Sequence, residues 1–213
     1  MRIEILNILI ISFVIGVLGV GAQSLSLEGN AFSSVYSATI SARGNINKAN
    51  TLDYSLMSRF DGDYETINSI HTLLFGTMGR QLLPSIKATA GAIYSSGGQV
   101  QPSLGIQWYA KMKNWLIMLY PNVNISSQSD LMQIAMLKYS LKAKKTIWYT
   151  QGKSLSIIND EGHQFTTIRV QAGIDRGRIQ GGISNDINLF GSSFDAVSRL
   201  GLFLAIGILK KDD

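Results

Sequence analysis

His71 and His163 are the only histidines in the 213-residue chain, and each has neighbours that could work with it. Ser69 and His71 are two residues apart, so on a strand they would share a face, as a hydroxyl nucleophile and its base must. No third member in a recognisable context orients that imidazole, so His71 reads as an interior or interfacial histidine and no catalytic residue is assigned. Asp160, Glu161 and His163 could touch a metal ion, but three polar residues between elements are ordinarily just solvated. No metal and no cofactor are expected. The pairs Gly97-Gly98 and Gly181-Gly182 lack the strand-to-helix context of a phosphate cradle and read as turn and strand glycines. The chain is therefore not expected to be an enzyme.

Arg43, Arg59, Lys87, Lys138, Arg169 and Arg199 carry more information, because each falls inside a stretch where polar and apolar residues alternate. Asp53, Asp175 and Asp186 fall in such stretches too. If the polar positions share one interior, cations outnumber acids there, and uncompensated like charges in a narrow space are costly unless water or anions solvate them. One reading is a wet passage in which Arg and Lys favour anionic solutes. The other pairs these cations with the acids and with tyrosines such as Tyr109 and Tyr120, so that side chains fill the interior. The sequence leaves both open.

What must position these residues is a set of strands, since successive strand side chains point to opposite faces. In Ser103 to Lys111, Leu104, Ile106, Trp108 and Ala110 oppose Ser103, Gly105, Gln107, Tyr109 and Lys111. In Thr167 to Asp175, Ile168, Val170, Ala172 and Ile174 oppose Thr167, Arg169, Gln171, Gly173 and Asp175. The last stretch sets Leu200, Leu202, Leu204, Ile206 and Ile208 against Arg199, Gly201, Phe203, Ala205 and Gly207. Cutting at turn signals such as Asp61-Gly62-Asp63, Ser95-Ser96-Gly97-Gly98, Lys113-Asn114 and Arg176-Gly177 predicts about twelve strands. They are Leu25–Ala31, Val35–Asn45, Thr51–Phe60, Tyr64–Phe75, Ser85–Ser95, Val100–Met112, Trp115–Ile125, Leu131–Lys142, Lys145–Gln151, Phe165–Asp175, Arg178–Leu189 and Val197–Leu209.

Composition selects the kind of β-protein. Only 15% of residues are charged and mean hydropathy is +0.15. Yet beyond the first ~20 residues no apolar run is long enough to cross a bilayer as a helix, which takes ~20 residues. The remaining readings are a soluble all-β domain and a barrel with an apolar outside. Nearly every strand carries a full apolar face, and aromatics such as Tyr54, Phe60, Trp115, Tyr139 and Trp148 fall near strand ends, as in an interfacial girdle. Leu104, Ile106, Trp108, Leu200, Leu202, Leu204 and Ile206 are then expected to meet lipid. A net charge of +5 without dense basic clusters does not fit a nucleic-acid binder, and the absence of cysteine excludes disulfides.

The first 22 residues read as a signal peptide. Arg2 precedes an apolar core from Ile5 to Val20, and Val20-Gly21-Ala22 supplies compact residues before Gln23. N-terminal sequencing of protein from the membrane fraction is expected to begin at Gln23; a mature chain beginning at Met1 would make the segment an anchor. Residues 23–213 then form one all-β domain. Its connections sort by charge: Lys48, Arg80, Lys113, Lys144, Lys145, Arg176, Arg178, Lys210 and Lys211 fall at one end, and Asp61, Asp63, Glu65, Asp130, Asp160, Glu161 and Asp195 at the other. The longest gap, Gly152 to Gln164, is acidic, which puts the acidic loops outside the cell and the basic turns in the periplasm.

In this pattern the chain resembles the small outer-membrane barrels of Gram-negative bacteria, above all the twelve-stranded small porins for acidic oligosaccharides. The resemblance implies a transmembrane antiparallel up-and-down β-barrel acting as a passive channel or structural protein, with outer-membrane lipid as its partner. It differs at the end: many such barrels finish on an aromatic residue, whereas Leu209 is followed by Lys210-Lys211-Asp212-Asp213. Two alternatives stand beside it. One is a non-conducting accessory barrel of a larger envelope secretion or uptake complex, whose partners are other envelope proteins. The other is a soluble periplasmic barrel with an apolar ligand in its core.

Overall fold

A computed structural model describes residues 23–47, 49, 51–64, 71–96, 100–125, 130–144 and 146–210. Residues 1–22, expected to be a signal peptide, and Ser69, Lys48, Glu65, Gly97, Gly98, Lys145 and Lys211 lie outside the described residues. The strands are β1 (Ser24–Phe32), β2 (Val35–Asn45), β3 (Leu52–Asp63), β4 (His71–Leu83), β5 (Ile86–Ser95) and β6 (Gln101–Met112), followed by β7 (Trp115–Asn124), β8 (Asp130–Ala143), β9 (Thr146–Asn159), β10 (Gly162–Arg176), β11 (Ile179–Phe190) and β12 (Asp195–Lys210). Each pairs antiparallel with its neighbours in sequence, and β1 pairs with β12 to close the barrel. Closure matters in a bilayer, because it leaves no unpaired strand edge facing hydrocarbon.

The faces are inverted relative to a water-soluble barrel. Leu104, Ile106, Leu119, Leu137, Leu200, Leu202, Leu204 and Ile206 are exposed, with Leu200 retaining 68% of its surface, and Trp108 is half-buried. Asn30, Ser37, Ser103, Asn122, Gln151, Arg169, Gln171, Ser184 and Asp186, on the opposite face of their strands, are buried. A barrel holding an apolar ligand in water needs the reverse arrangement. The chain is a transmembrane-type β-barrel with a polar interior.

Two strands differ from the sequence expectation. The fourth runs from His71 to Leu83 rather than from Tyr64 to Phe75. Gly76 and Gly79, just beyond the expected end at Phe75, sit in the ladder opposite Leu56 and Asp53. Gly79 leaves room for a contact over the strand: Lys87 of β5 reaches across β4 to Asp53 of β3, and a Cβ on Gly79 would lie 2.5 Å from Lys87 Cδ and 2.7 Å from Asp53 Oδ1 and displace the pair. The ninth strand continues to Asn159, so Gly152 to Gln164 is no long loop; β9 and β10 are joined by residues 160–161 alone. Its outward positions Thr150, Gly152, Ser154 and Ser156 are polar or small, which erases the apolar half of the alternation. Asp61 and Asp63 likewise belong to β3, not to a turn.

Charge still separates the two ends. Asp63, Asp130, Asp160, Glu161 and Asp195 gather at one end, while Lys113, Lys144, Gly177-Arg178, Ser24 of β1 and Lys210 of β12 occupy the other. The acidic end carries four connections of four or more residues, 64–70, 96–100, 125–129 and 191–194, whereas the other end has one, 46–51, and otherwise two-residue turns. Gly177 turns β10 into β11 with φ +78°, a left-handed conformation that glycine adopts without steric cost.

Candidate functional site: the charged lumen

The interior is organised by Arg169, centred on β10. Its Nε and Nη2 donate to the two carboxylate oxygens of Asp186, its register partner on β11, both at 2.6 Å. Only 7% of the Arg169 side chain and 6% of the Asp186 side chain remain exposed. Two planar forks matched in this way make a strong charge-assisted pair. Arg169 also reaches Ser37 Oγ on β2 at 3.2 Å and Glu28 Oε1 on β1 at 3.4 Å, crossing β11 and β12.

Glu28 extends the network. It accepts from Asn30 Nδ2 and Gln171 Nε2, both at 3.1 Å, and its second oxygen lies 3.5 Å from Lys153 Nζ on β9. Gln151 Nε2 donates to Gln171 Oε1 at 2.9 Å, tying β9 to β10. On the other side, Arg59 of β3 pairs with Asp61 at 2.8 Å and approaches Asp186 at 3.9 Å. Asp61, Arg59, Asp186, Arg169, Glu28 and Lys153 thus alternate in sign around the inner wall from β3 through β1 to β9. A buried carboxylate or guanidinium without a counter-charge would be expensive, and alternation gives each one a partner.

The six cations singled out in the sequence fall into two groups. Arg59 and Arg169 belong to this network, and Lys87 is paired with Asp53. Lys138 sits 4.4 Å above the Tyr149 ring, while Arg43 and Arg199 make no ion pair among the described residues. Asp175 accepts from Gln180 Nε2 at 2.9 Å. Glu28 and Lys153 were missed. Lys153 sat in the supposed loop; the run Tyr149, Gln151, Lys153 on one parity was the signal that the strand goes on. Glu28 is the one ionisable residue of β1, and nothing in its local sequence announces its role.

His163 belongs to β10. Its Nδ1 lies 2.7 Å from Gly191 O, its Nε2 lies 2.8 Å from Thr166 Oγ1, and its ring stacks on Phe194 at 4.3 Å. Both nitrogens are thus engaged in fastening the β11–β12 connection to β10. Among the described residues no group of three His, Asp or Glu could hold a metal ion. His71 opens β4 and is exposed.

A closed twelve-stranded barrel with an apolar outside and an ionised interior defines the class of fold: a transmembrane-type antiparallel β-barrel. No family model and no curated protein matches the chain. Among solved structures the chain is similar to the NanC porin in a rhombohedral crystal form, with TM-score 0.56 at 11% identity over 85% of this chain and 98% of that one. The KdgM porin gives TM-score 0.54 at 9% identity over 86% of this chain and 98% of that one. A second KdgM structure, in complex with disordered oligogalacturonate, gives 0.53 at 8% identity over 86% and 98%. At such identities the likeness is one of fold.

Proposed function

We propose that the protein is a narrow, water-filled channel of the bacterial outer membrane, biased toward small anions. The observation that carries this reading is solvent reaching ionised side chains on the inner wall. Lys153 on β9 keeps 41% of its side-chain surface, and Asp61 and Asp53, toward opposite ends of β3, keep 39% and 26%, so the three lie at different distances from the barrel ends. Wet charges spaced along the axis suit a passage better than a dry plug. The porin fold of its structural neighbours supports the same reading. The acidic end, with most of the longer connections, faces the exterior, and the end holding Ser24 and Lys210 faces the periplasm.

The anion bias rests on Arg43, Lys138 and Arg199. Arg59, Lys87 and Arg169 have their fields largely cancelled by Asp61, Asp53 and Asp186, so the cations without an ion pair set the net potential. Purified protein in planar bilayers is expected to give small channels whose reversal potential in a salt gradient favours anions. The bias should fade between 0.1 and 1 M salt, as the screening length falls from ~10 to ~3 Å. Changing Arg43, Lys138 and Arg199 together to Gln is expected to lower it further.

A second reading, a non-conducting accessory barrel held against other envelope proteins, draws on the burial of Arg169, Gln171 and Asp186 in mid-wall. The same recording separates the two. A folded, inserted barrel that passes no current would replace the channel with the scaffold.

A further inference from the structure

The charged network occupies only one side of the lumen. From β9 through β12 to β3 the inner face carries Lys153, Arg169, Asp186, Glu28 and Arg59. The opposite wall, from β4 to β8, is of another kind. Strand alternation there points Phe75, Ile93, Met118, Tyr120, Ile134 and Met136 inward, because Met78, Leu104, Leu119, Leu131 and Leu137 on the other parity are the exposed outer residues. Contacts within the lumen agree. The Phe75 and Tyr120 rings, three strands apart, approach to 6.0 Å. Tyr120 OH reaches Thr89 Oγ1 at 2.8 Å by passing over Gly105, where a Cβ would lie 2.6 Å from the Tyr120 ring. Charges return to this wall only toward its ends, at Lys87, Lys111, Lys138 and Lys142 near one and Asp130 near the other.

Thr77, Thr89, Ser103 and Asn122 share this wall but are buried, so beside Gln107 and Tyr109 the surface left open to a solute is apolar carbon and thioether, which solvates a hydrated inorganic ion poorly. Phe75, Met118, Ile134 and Met136 are only half-buried, so their apolar surface is open to whatever occupies the lumen. Resting on the channel reading above, we infer that the lumen selects small organic anions with an apolar body. The carboxylate or sulfonate follows Arg43 and Arg199, which make no ion pair among the described residues, on the β12–β2 side, while the hydrocarbon or ring body displaces water from the Phe75–Met136 side. Removal of that surface from water favours the apolar solute over a hydroxylated one of the same shape and charge.

The test uses two anions with one skeleton, cyclohexanecarboxylate and its polyhydroxylated counterpart quinate, each run against chloride in bi-ionic recordings at pH 8. The expected result is a permeability ratio favouring cyclohexanecarboxylate by about threefold or more. Met118→Gln combined with Met136→Gln should bring that ratio toward one, and a ratio unmoved by this variant would overturn the assignment of the wall. Chloride current with a ratio at or below one would overturn the inference and leave the channel standing. Absence of chloride current in an inserted, folded barrel would overturn the channel reading itself, and the inference with it.

Discussion

Replacing Arg169 by Ala is expected to destabilise the folded barrel by about 3–5 kcal/mol, the cost typical of removing one partner from a buried ion pair. Asp186 would lose two 2.6 Å bonds while remaining buried, and Glu28 would lose one of its two basic neighbours. The measurement is equilibrium unfolding in urea of protein folded into lipid vesicles. A companion variant decides the cause: Arg169→Met with Asp186→Leu removes both charges and should recover most of the loss, because the penalty lies in the orphaned carboxylate. A loss under 1 kcal/mol for Arg169→Ala would mean that water already solvates Asp186.

Placing Arg at Leu204 is expected to cost roughly 2–4 kcal/mol if the residue lies at the bilayer midplane. Leu204 is in the interior of β12, opposite Gly29 on one side and Gly181 on the other, and its side chain is exposed. Lipid is the only solvent available to an outward side chain at that depth, and it does not stabilise a guanidinium. The same substitution at Ala205, on the inward face, should cost far less. Unfolding titrations of the two variants under identical conditions make the comparison.

How much of this was legible depended on the outside of each strand. In β6 and β12 the outward residues are Leu, Ile or Trp at almost every second position, so the alternation was plain and the boundaries fell within a few residues. In β9 the outward residues Thr150, Gly152, Ser154 and Ser156 are polar or small while Leu155 and Ile157 fall on the inward face beside Gln151 and Lys153, so neither face is uniformly apolar and the strand reads as a loop. In β4 Gly79 serves a contact between the strands on either side, Lys87 with Asp53, which no local signal encodes. The lumen was readable in the same limited way. Sequence placed Arg59, Arg169 and Asp186 on polar faces, but which cation meets which acid depends on register and barrel closure. Glu28 and Arg169 are 141 positions apart and meet only because β1 closes on β12.

The most direct test of the central claim, an apolar outside around a polar lumen, uses the absence of native cysteine. Single cysteines at Arg199, Leu200, Leu202, Leu204, Ala205 and Ile206 can each carry one environment-sensitive fluorophore in vesicles containing brominated lipid. The predicted result is quenching by lipid at Leu200, Leu202, Leu204 and Ile206, and none at Arg199 and Ala205, where aqueous iodide should quench instead. Uniform quenching along β12, or lipid quenching at Arg199 and Ala205 with none at Leu202 and Leu204, would contradict it.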